Sequence, residues 1–244
     1  MTGTLTPADE KQAARERVWT ALTETGAARF PRPIRGRIPN FAGSEEAARR
    51  LAATPEFQRA RVVKVNPDAP QRFLRAEVLR QGKILLAPTP RLREGFLVLD
   101  PAAIAPNLYA KAAAIGGMAQ YGRPVPLADA PSPDLLVVGS VAVSLAGART
   151  GKGEGYGEIE YALLRELGRI TADTPIATTV HDLQVVDDLP LEPFDVTVDL
   201  IVTPTALLRV DGPHQRPDRI FWDMISAEKV EAIPLLRERG VSSQ

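Results

Sequence analysis

The stretch Asp134-Leu-Leu-Val-Val-Gly-Ser-Val-Ala-Val143, followed closely by Gly147-Ala-Arg-Thr-Gly-Lys-Gly-Glu-Gly-Tyr-Gly-Glu-Ile-Glu-Tyr161, decides the fold. The first part is apolar on both sides and partly β-branched, the pattern of a strand buried on two faces. The second is a glycine-rich loop that turns helical, with Ile159, Leu163 and Leu167 on one face and Gly168 available to end the helix. The loop therefore leaves the carboxyl end of a central strand, where ligands collect in open α/β sheets. Gly151, Gly153, Gly155 and Gly157 let successive backbone N–H groups approach an anion, the helix N-terminus adds a favourable dipole, and Lys152 supplies a mobile positive charge. The spacing is not that of a Walker loop, since Gly153 stands where a hydroxyl should follow the lysine. It is not a dinucleotide fingerprint either, because it lies past the middle of the chain rather than in a first βαβ unit.

Working outward, Thr6-Pro7 reads as a helix cap, with Asp9 and Glu10 in the first turn and Ala14, Val18 and Leu22 along one face of a helix ending at Gly26. A proline-stiffened basic loop follows, Arg29-Phe-Pro-Arg-Pro-Ile-Arg-Gly-Arg-Ile-Pro-Asn-Phe41. Ser44, with Glu45 and Glu46, starts a second helix to Ala53. Strands and helices then alternate: strands over 61–65, 83–87, 96–99, 135–143, 175–180 and 200–203, and helices over 69–81 and 109–118. Residues 205–210 pair locally beside the last strand, and 219–225 lead into a helix ending near Arg239. Such alternation predicts a largely parallel sheet with helices on both faces. The reading gives one domain over 1–212 and a tail over 213–244 whose helix packs on it.

The 244 residues are 44% hydrophobic, enough for a sizeable core. Thirty basic and 30 acidic residues leave no net charge, which argues against nucleic acid and membrane surfaces as partners. No cysteine is present, so disulfides, thiolate zinc sites and cysteine nucleophiles are excluded, and the two histidines, His181 and His214, have no second ligand at a metal spacing. The first ten residues lack the apolar stretch of a signal peptide and no run is long enough to span a bilayer, so a soluble, cytoplasmic protein is expected.

Several polar constellations stand out. Arg29, Arg32, Arg35 and Arg37 crowd the basic loop, as anion contacts or as solubilising charge. Arg91 or Arg93, after a strand, lies at a carboxyl end, as ligand contact or ion pair. His181 is an acid/base candidate or a structural histidine. Asp195 and Asp199 would face the same side of an extended segment. Lys11, taken alone, reads as a surface lysine.

Together these pieces resemble the 5-formyltetrahydrofolate cyclo-ligase family. The resemblance covers most of residues 11–210 and rests on Lys11 with Arg15 four residues later, the loop Arg149-Thr-Gly-Lys-Gly-Glu-Gly-Tyr156, Gln184, and the segment Leu-Pro-x-Glu-x-x-Asp-x-x-x-Asp that starts at Leu189. Phe30-Pro-Arg-Pro, Arg37-Ile-Pro-Asn-Phe41 and Pro88-Thr-Pro-Arg-Leu-Arg93 look like signatures of a divergent branch, the methenyltetrahydrofolate-synthetase-domain-containing proteins. In the loop, Gly157, Glu158 and Ile159 stand where the family carries Tyr, Asp and Arg, and Ser144 stands for an upstream Asp.

The resemblance implies a three-layer α/β/α sandwich with a mostly parallel sheet, of the ribose-5-phosphate isomerase and CoA-transferase type. It implies an ATP- and Mg2+-dependent ligase of one-carbon metabolism that converts 5-formyltetrahydrofolate, or a related substrate, to the 5,10-methenyl form with release of ADP and phosphate. Carried over residue by residue, Lys11, Lys152 and Arg149 are the expected catalytic cations. Lys11, Arg15, Gly151, Lys152, Gly153, Glu154, Gly155, Tyr156, Gly157 and Asp195 are the expected nucleotide contacts, and Glu158 and Asp199 the expected metal ligands. The alternatives are a non-catalytic folate- or nucleotide-binding protein, and an ATP-dependent enzyme of the same fold with another substrate, such as a thiamin-related one.

Overall fold

A computed structural model describes the protein at residues 5–89, 92 and 95–241. The first helix, α1 (Pro7–Glu24), opens with a capping box in which Thr6 and Asp9 satisfy each other's backbone N–H groups. Its buried face is Lys11, Ala14, Arg15, Val18, Trp19 and Leu22, so two cations share the inner stripe with the expected apolar residues. Two short strands, β1 (Ala28–Arg29) and β2 (Asn40–Phe41), close the basic loop as an antiparallel pair. Helix α2 (Ser44–Ala52) is capped by Gly43 in the left-handed region, not by Ser44, which is its first buried residue. A short α3 (Pro55–Arg59) leads into β3 (Val62–Val65).

The helix expected over 69–81 begins as a single tighter turn and becomes α4 (Arg72–Arg80). Strands β4 (Ile84–Pro88) and β5 (Phe96–Leu99) follow. The helix expected over 109–118 is two pieces, α5 (Tyr109–Ala112) and α6 (Ile115–Tyr121), because Ala114 is extended. Gly117 turns α6 so tightly against α5 that a Cβ there would meet the Lys111 carbonyl at 1.8 Å. After β6 (Arg123–Val125) comes β7 (Leu135–Val138). The run read as one strand to Val143 in fact breaks at Gly139, and its second half, β8 (Ala142–Ser144), joins another sheet with β9 (Arg149–Thr150).

Helix α7 (Tyr156–Glu166), β10 (Ile176–Thr179), β11 (Val185–Val186) and β12 (Leu200–Val202) complete the alternation. Strand β13 (Leu207–Arg209) pairs antiparallel with β12, as the local reading anticipates. The last segment carries α8 (Ala227–Ala232) and α9 (Pro234–Val241) rather than one helix. Pro234 forces the preceding Ile233 into an extended conformation (φ −110°, ψ 103°).

The main sheet has the order β13-β12-β10-β7-β3-β4-β5-β6. Its inner pairings, β12 with β10, β10 with β7, β7 with β3 and β3 with β4, are parallel, while the outer strands are antiparallel. Successive residues of β7 serve opposite layers: Leu136 and Val138 pack with Ile159 and Leu163 of α7 and with Ile233 and Leu236, whereas Leu135 and Val137 pack with Leu51, Leu74, Val78 and Met118. This is a three-layer α/β/α arrangement around a mostly parallel sheet. Helix α1 packs separately on the small β11-β8-β9 sheet through Val18, Trp19, Leu22, Val141 and Ala148. No helix among the described residues is long and apolar enough to cross a membrane.

Candidate functional site

A cleft of about 390 Å³ opens at the carboxyl ends of β3, β4 and β7, where Asn66, Asp68, Thr89 and Gly139 form its floor. One wall is the glycine loop with the start of α7, and the other is made by Pro31, Arg37, Ile38 and Ile115. This is the location that parallel α/β topology favours for a ligand.

Beneath the floor, strand alternation forces Lys64 to point away from Val63 and Val65 and toward α7, where it meets Glu160 in an ion pair buried on both sides. Lys64 also donates to Asn66 Oδ1 at 2.5 Å. Burial first, and then the Arg149 guanidinium, press its ammonium down to about 7, while Asp68 and Glu158 act in the opposite direction. Arg75, from α4, donates to the carbonyls of Asn66 (2.5 Å), Asp68 (3.0 Å) and Ala113 (2.8 Å) and so fixes the turn after β3. That turn carries Asp68 over the end of β7, so close to Gly139 that a Cβ there would lie 2.6 Å from Asp68 Oδ2. Burial pushes the Asp68 carboxyl up, against the pull of Arg75, Lys152 and Lys64. Of Lys64, Asp68, Arg75 and Glu160, only Lys64 carries a local signal in the sequence, a charge inside an otherwise apolar strand.

On the loop wall, Gly153 and Gly155 have φ of +100° and +71°, which only glycine adopts freely, and Gly155 caps α7. Gly157 gives room to Arg149: a Cβ would come within 2.9 Å of its Nη2. Arg149 is buried, donates to the Gly139 carbonyl at 3.3 Å and pairs with Glu158. Lys152 is half-exposed, and its ammonium is 2.8 Å from Glu154. Gly151, Lys152, Glu154, Gly155, Tyr156, Gly157, Glu158 and Arg149 line the cleft, whereas Gly153 is not in the lining and faces the Arg15 guanidinium, whose Cζ a Cβ there would meet at 3.5 Å.

Lys11, Arg15 and Asp195 stand behind that wall rather than in the cleft lining. Lys11 is not a surface lysine: it is 5% exposed and donates to Asp195 at 2.5 Å and Glu192 at 2.7 Å, 5.4 Å from the centre of the Phe194 ring. Burial raises the Asp195 carboxyl, opposed by the Lys11 hydrogen bond. Arg15, one helical turn from Lys11, donates through Nε to the Gly151 carbonyl at 2.8 Å. Burial lowers its guanidinium, while Glu158, Asp195 and Glu192 pull it back up, so these charges act on one another.

Asp199 does not join Asp195 or Glu158. It precedes β12, at the amino end of the parallel strands, and its carboxylate accepts from the Ile176 N–H (2.6 Å) and Arg216 (2.7 Å) and lies 3.1 Å from His214. The expected pairing of Glu158 with Asp199 around a metal is therefore not formed, because Asp195 meets Lys11 at one end of the segment while Asp199 sits at its other end, against Ile176 and Arg216. Among the described residues no cluster of three or more His, Cys, Asp or Glu is arranged to hold a metal alone. His181 accepts the Leu183 N–H on Nδ1 at 3.1 Å and meets Phe41 edge-on, so it caps a turn; burial lowers its imidazolium. Gln184 is fully buried and braces the carbonyls of Ser140 and Val141 at 2.9 and 3.1 Å. Of the loop arginines, Arg29 and Arg32 donate to the Ala28 carbonyl, Arg35 pairs with Glu16, and Arg37 lines the cleft. Arg91 and Arg93 lie outside the described residues.

Residues 7–204 match the family model of the 5-formyltetrahydrofolate cyclo-ligase family. The chain is 44% identical over 231 residues to the methenyltetrahydrofolate synthase domain-containing protein of Mus musculus, covering 93% of this chain and 62% of that protein. It is 43% identical over 239 residues to the Homo sapiens protein of the same name, covering 96% and 62%. The chain thus spans less than two thirds of the length of these relatives. The NMR structure of Aquifex aeolicus 5,10-methenyltetrahydrofolate synthetase is similar in fold, with a TM-score of 0.52, 22% sequence identity, and coverage of 83% of this chain and 94% of that one. With the family model matched from the first helix to the end of the parallel sheet, the chain belongs to the 5-formyltetrahydrofolate cyclo-ligase family.

Proposed function

We propose that the chain is an ATP- and magnesium-dependent ligase that closes 5-formyltetrahydrofolate, or a close relative of it, to the 5,10-methenyl form with release of ADP and phosphate. The observation that carries this reading is the loop wall. The N–H groups of residues 152–155 donate to no protein acceptor among the described residues, beside the half-exposed ammonium of Lys152 and the amino end of α7. Oriented amides and a lysine at the carboxyl end of a parallel sheet suit a polyphosphate.

Phosphoryl transfer demands positioning and charge neutralisation more than covalent chemistry from the protein. Lys152 would neutralise phosphoryl oxygens directly. Arg149, buried against Glu158 and the Gly139 carbonyl, would hold the floor in place and bring positive potential to it. Lys11 and Arg15 would act from behind the loop, Arg15 through the Gly151 carbonyl. A hard cation bound by phosphates needs only one or two protein carboxylates. The donor set fits that mode: Glu158 lines the cleft, and no protein-built cage is present among the described residues. Such a cation would supply charge neutralisation at the phosphates. The apolar wall of Pro31, Ile38 and Ile115 would take the flat ring of a reduced folate.

Purified protein incubated with ATP, magnesium and 5-formyltetrahydrofolate is expected to generate the methenyl chromophore. A flat trace, with ATP binding demonstrated separately, removes the ligase reading and leaves a binding protein.

A further inference from the structure

The segment beyond residue 204, where the family model ends, returns to the turn at 192–195, to α7 and to the glycine loop. Gln215 donates its side-chain amide to the carbonyls of Glu192 (2.6 Å) and Asp195 (2.9 Å), the turn whose carboxylates hold Lys11. Farther on, Glu166 of α7 accepts from the Ile220 N–H at 3.0 Å and from Arg239 at 2.7 Å, which ties both ends of the segment to α7. Between these ties Lys229 of α8 reaches the glycine loop. Its ammonium donates to the Glu154 carbonyl at 2.5 Å and lies 5.6 Å from the centre of the Tyr156 ring.

A trans peptide points its C=O and N–H in opposite directions. The Glu154 carbonyl held by Lys229 therefore turns the Gly155 N–H away from Lys229, as the Gly151 carbonyl held by Arg15 turns the Lys152 N–H away from Arg15. Lys229 borders a small apolar pocket of about 70 Å³ beside Phe221 and Ile225, on the outer side of the loop, and is not in the lining of the main cleft. Gly155 lies between the two, lining both the small pocket and the main cleft, and since Lys229 holds the Glu154 carbonyl from the small-pocket side, the opposed Gly155 amide turns toward the main cleft, where an anion would sit.

We propose that Lys229 is a positioning residue of the anion loop, acting through the Glu154 carbonyl to aim the Gly155 amide into the cleft. This rests on the nucleotide reading given above. It assigns to the C-terminal segment a role in ligand binding that is separate from its packing on α7.

The test is titration of the full chain and its K229M and K229R variants with ATP, inorganic tripolyphosphate and adenosine, with hydrogen exchange over residues 149–158 in the ligand-free proteins. K229M is expected to weaken ATP and tripolyphosphate about tenfold, to leave adenosine within about twofold, and to speed exchange of the loop amides. K229R, which keeps a charged donor, is expected to return tripolyphosphate affinity to within about threefold of the unmodified chain. A K229M protein that binds tripolyphosphate as the unmodified chain does, or a K229R protein no better than K229M, overturns the proposal while leaving the nucleotide reading intact. An unmodified chain that binds neither ATP nor tripolyphosphate overturns both.

Discussion

On the floor of the cleft the charges are sealed: Lys64 faces Glu160 with both side chains almost wholly buried, and Arg75 spends its guanidinium on three carbonyls. On the loop wall the corresponding charges are open, with Lys152 and Glu154 each more than a third exposed and the nearby amides without a protein acceptor among the described residues. The same residue types thus do different work a few residues apart. Sealed charges fix the shape of the strand ends and cannot move toward a ligand without an uncompensated partner. Open charges hold little of the fold and are free to exchange a protein partner for an anion.

The comparison breaks first at Lys64. Below pH 7, where the folded Lys64 is charged, Lys64→Met leaves Glu160 buried without its counter-charge, and the expected loss is about 3–5 kcal/mol of folding stability, read from urea unfolding. The double variant Lys64→Met, Glu160→Met removes both charges and should recover most of that loss. A single variant as stable as the unmodified chain would show that the pair does not carry the floor. The pH dependence has a defined sign. The Lys64 ammonium sits at about 7 in the folded chain against 10.5 when free, so between those values the unfolded chain holds the extra proton. Stability therefore rises with pH across that window and is lost as pH falls toward 7. The urea midpoint should rise from pH 7 upward in the unmodified chain and stay flatter in Lys64→Met.

A smaller effect tests where the sealed and open regions join. Gly157→Ala places a methyl group within 2.9 Å of Arg149 Nη2, and the buried guanidinium has to withdraw from Glu158. Alanine favours the helix by about 1 kcal/mol over glycine, so the two effects offset and the net change in stability should stay near 1 kcal/mol or less. Ligand affinity should fall more than stability does. Equal losses in both would mean that the Arg149–Glu158 contact serves only the fold.

The contrast also explains what was legible in the sequence. The strand at 135–138, the loop and α7 were readable because burial on two faces and four-residue spacing are local patterns. The switch of β8 into a second sheet was not, since the apolar run continues through Gly139 without a polar break. The Lys64–Glu160 pair joins residues far apart in sequence, and strand alternation dictates only that Lys64 opposes Val63 and Val65, not what it meets. Lys11 was misread in isolation for the same reason: its partners come from the turn at 192–195, and only the resemblance singled it out. Asp199 was misplaced because a shared side of an extended segment does not make a shared site: Asp195 meets Lys11 at one end and Asp199 meets Ile176 and Arg216 at the other. Lys229 gave no signal, lying beyond every motif in a segment that reads as tail.

The smallest effect on the fold should come from the residue with the largest expected effect on the ligand. The Lys152–Glu154 pair is 2.8 Å long but solvated on both sides, and such pairs contribute about 0–1 kcal/mol. Lys152→Ala should therefore change folding stability by less than about 0.5 kcal/mol. Its ammonium is the loop's mobile charge, and its removal should raise the ATP dissociation constant about tenfold or more, a difference of about 1.4 kcal/mol per decade. Glu154→Gln provides the opposite sign: it releases Lys152 from its partner and takes a negative charge away from the loop, so ATP should bind more tightly and the gain should shrink as salt is added. If Lys152→Ala leaves affinity unchanged while Glu154→Gln also has no effect, the open charges are solvated ornaments of the surface, and the anion would have to be held by backbone amides alone. If the two variants move affinity in opposite directions with stability unchanged, the loop wall is a binding surface whose charges were kept out of the fold.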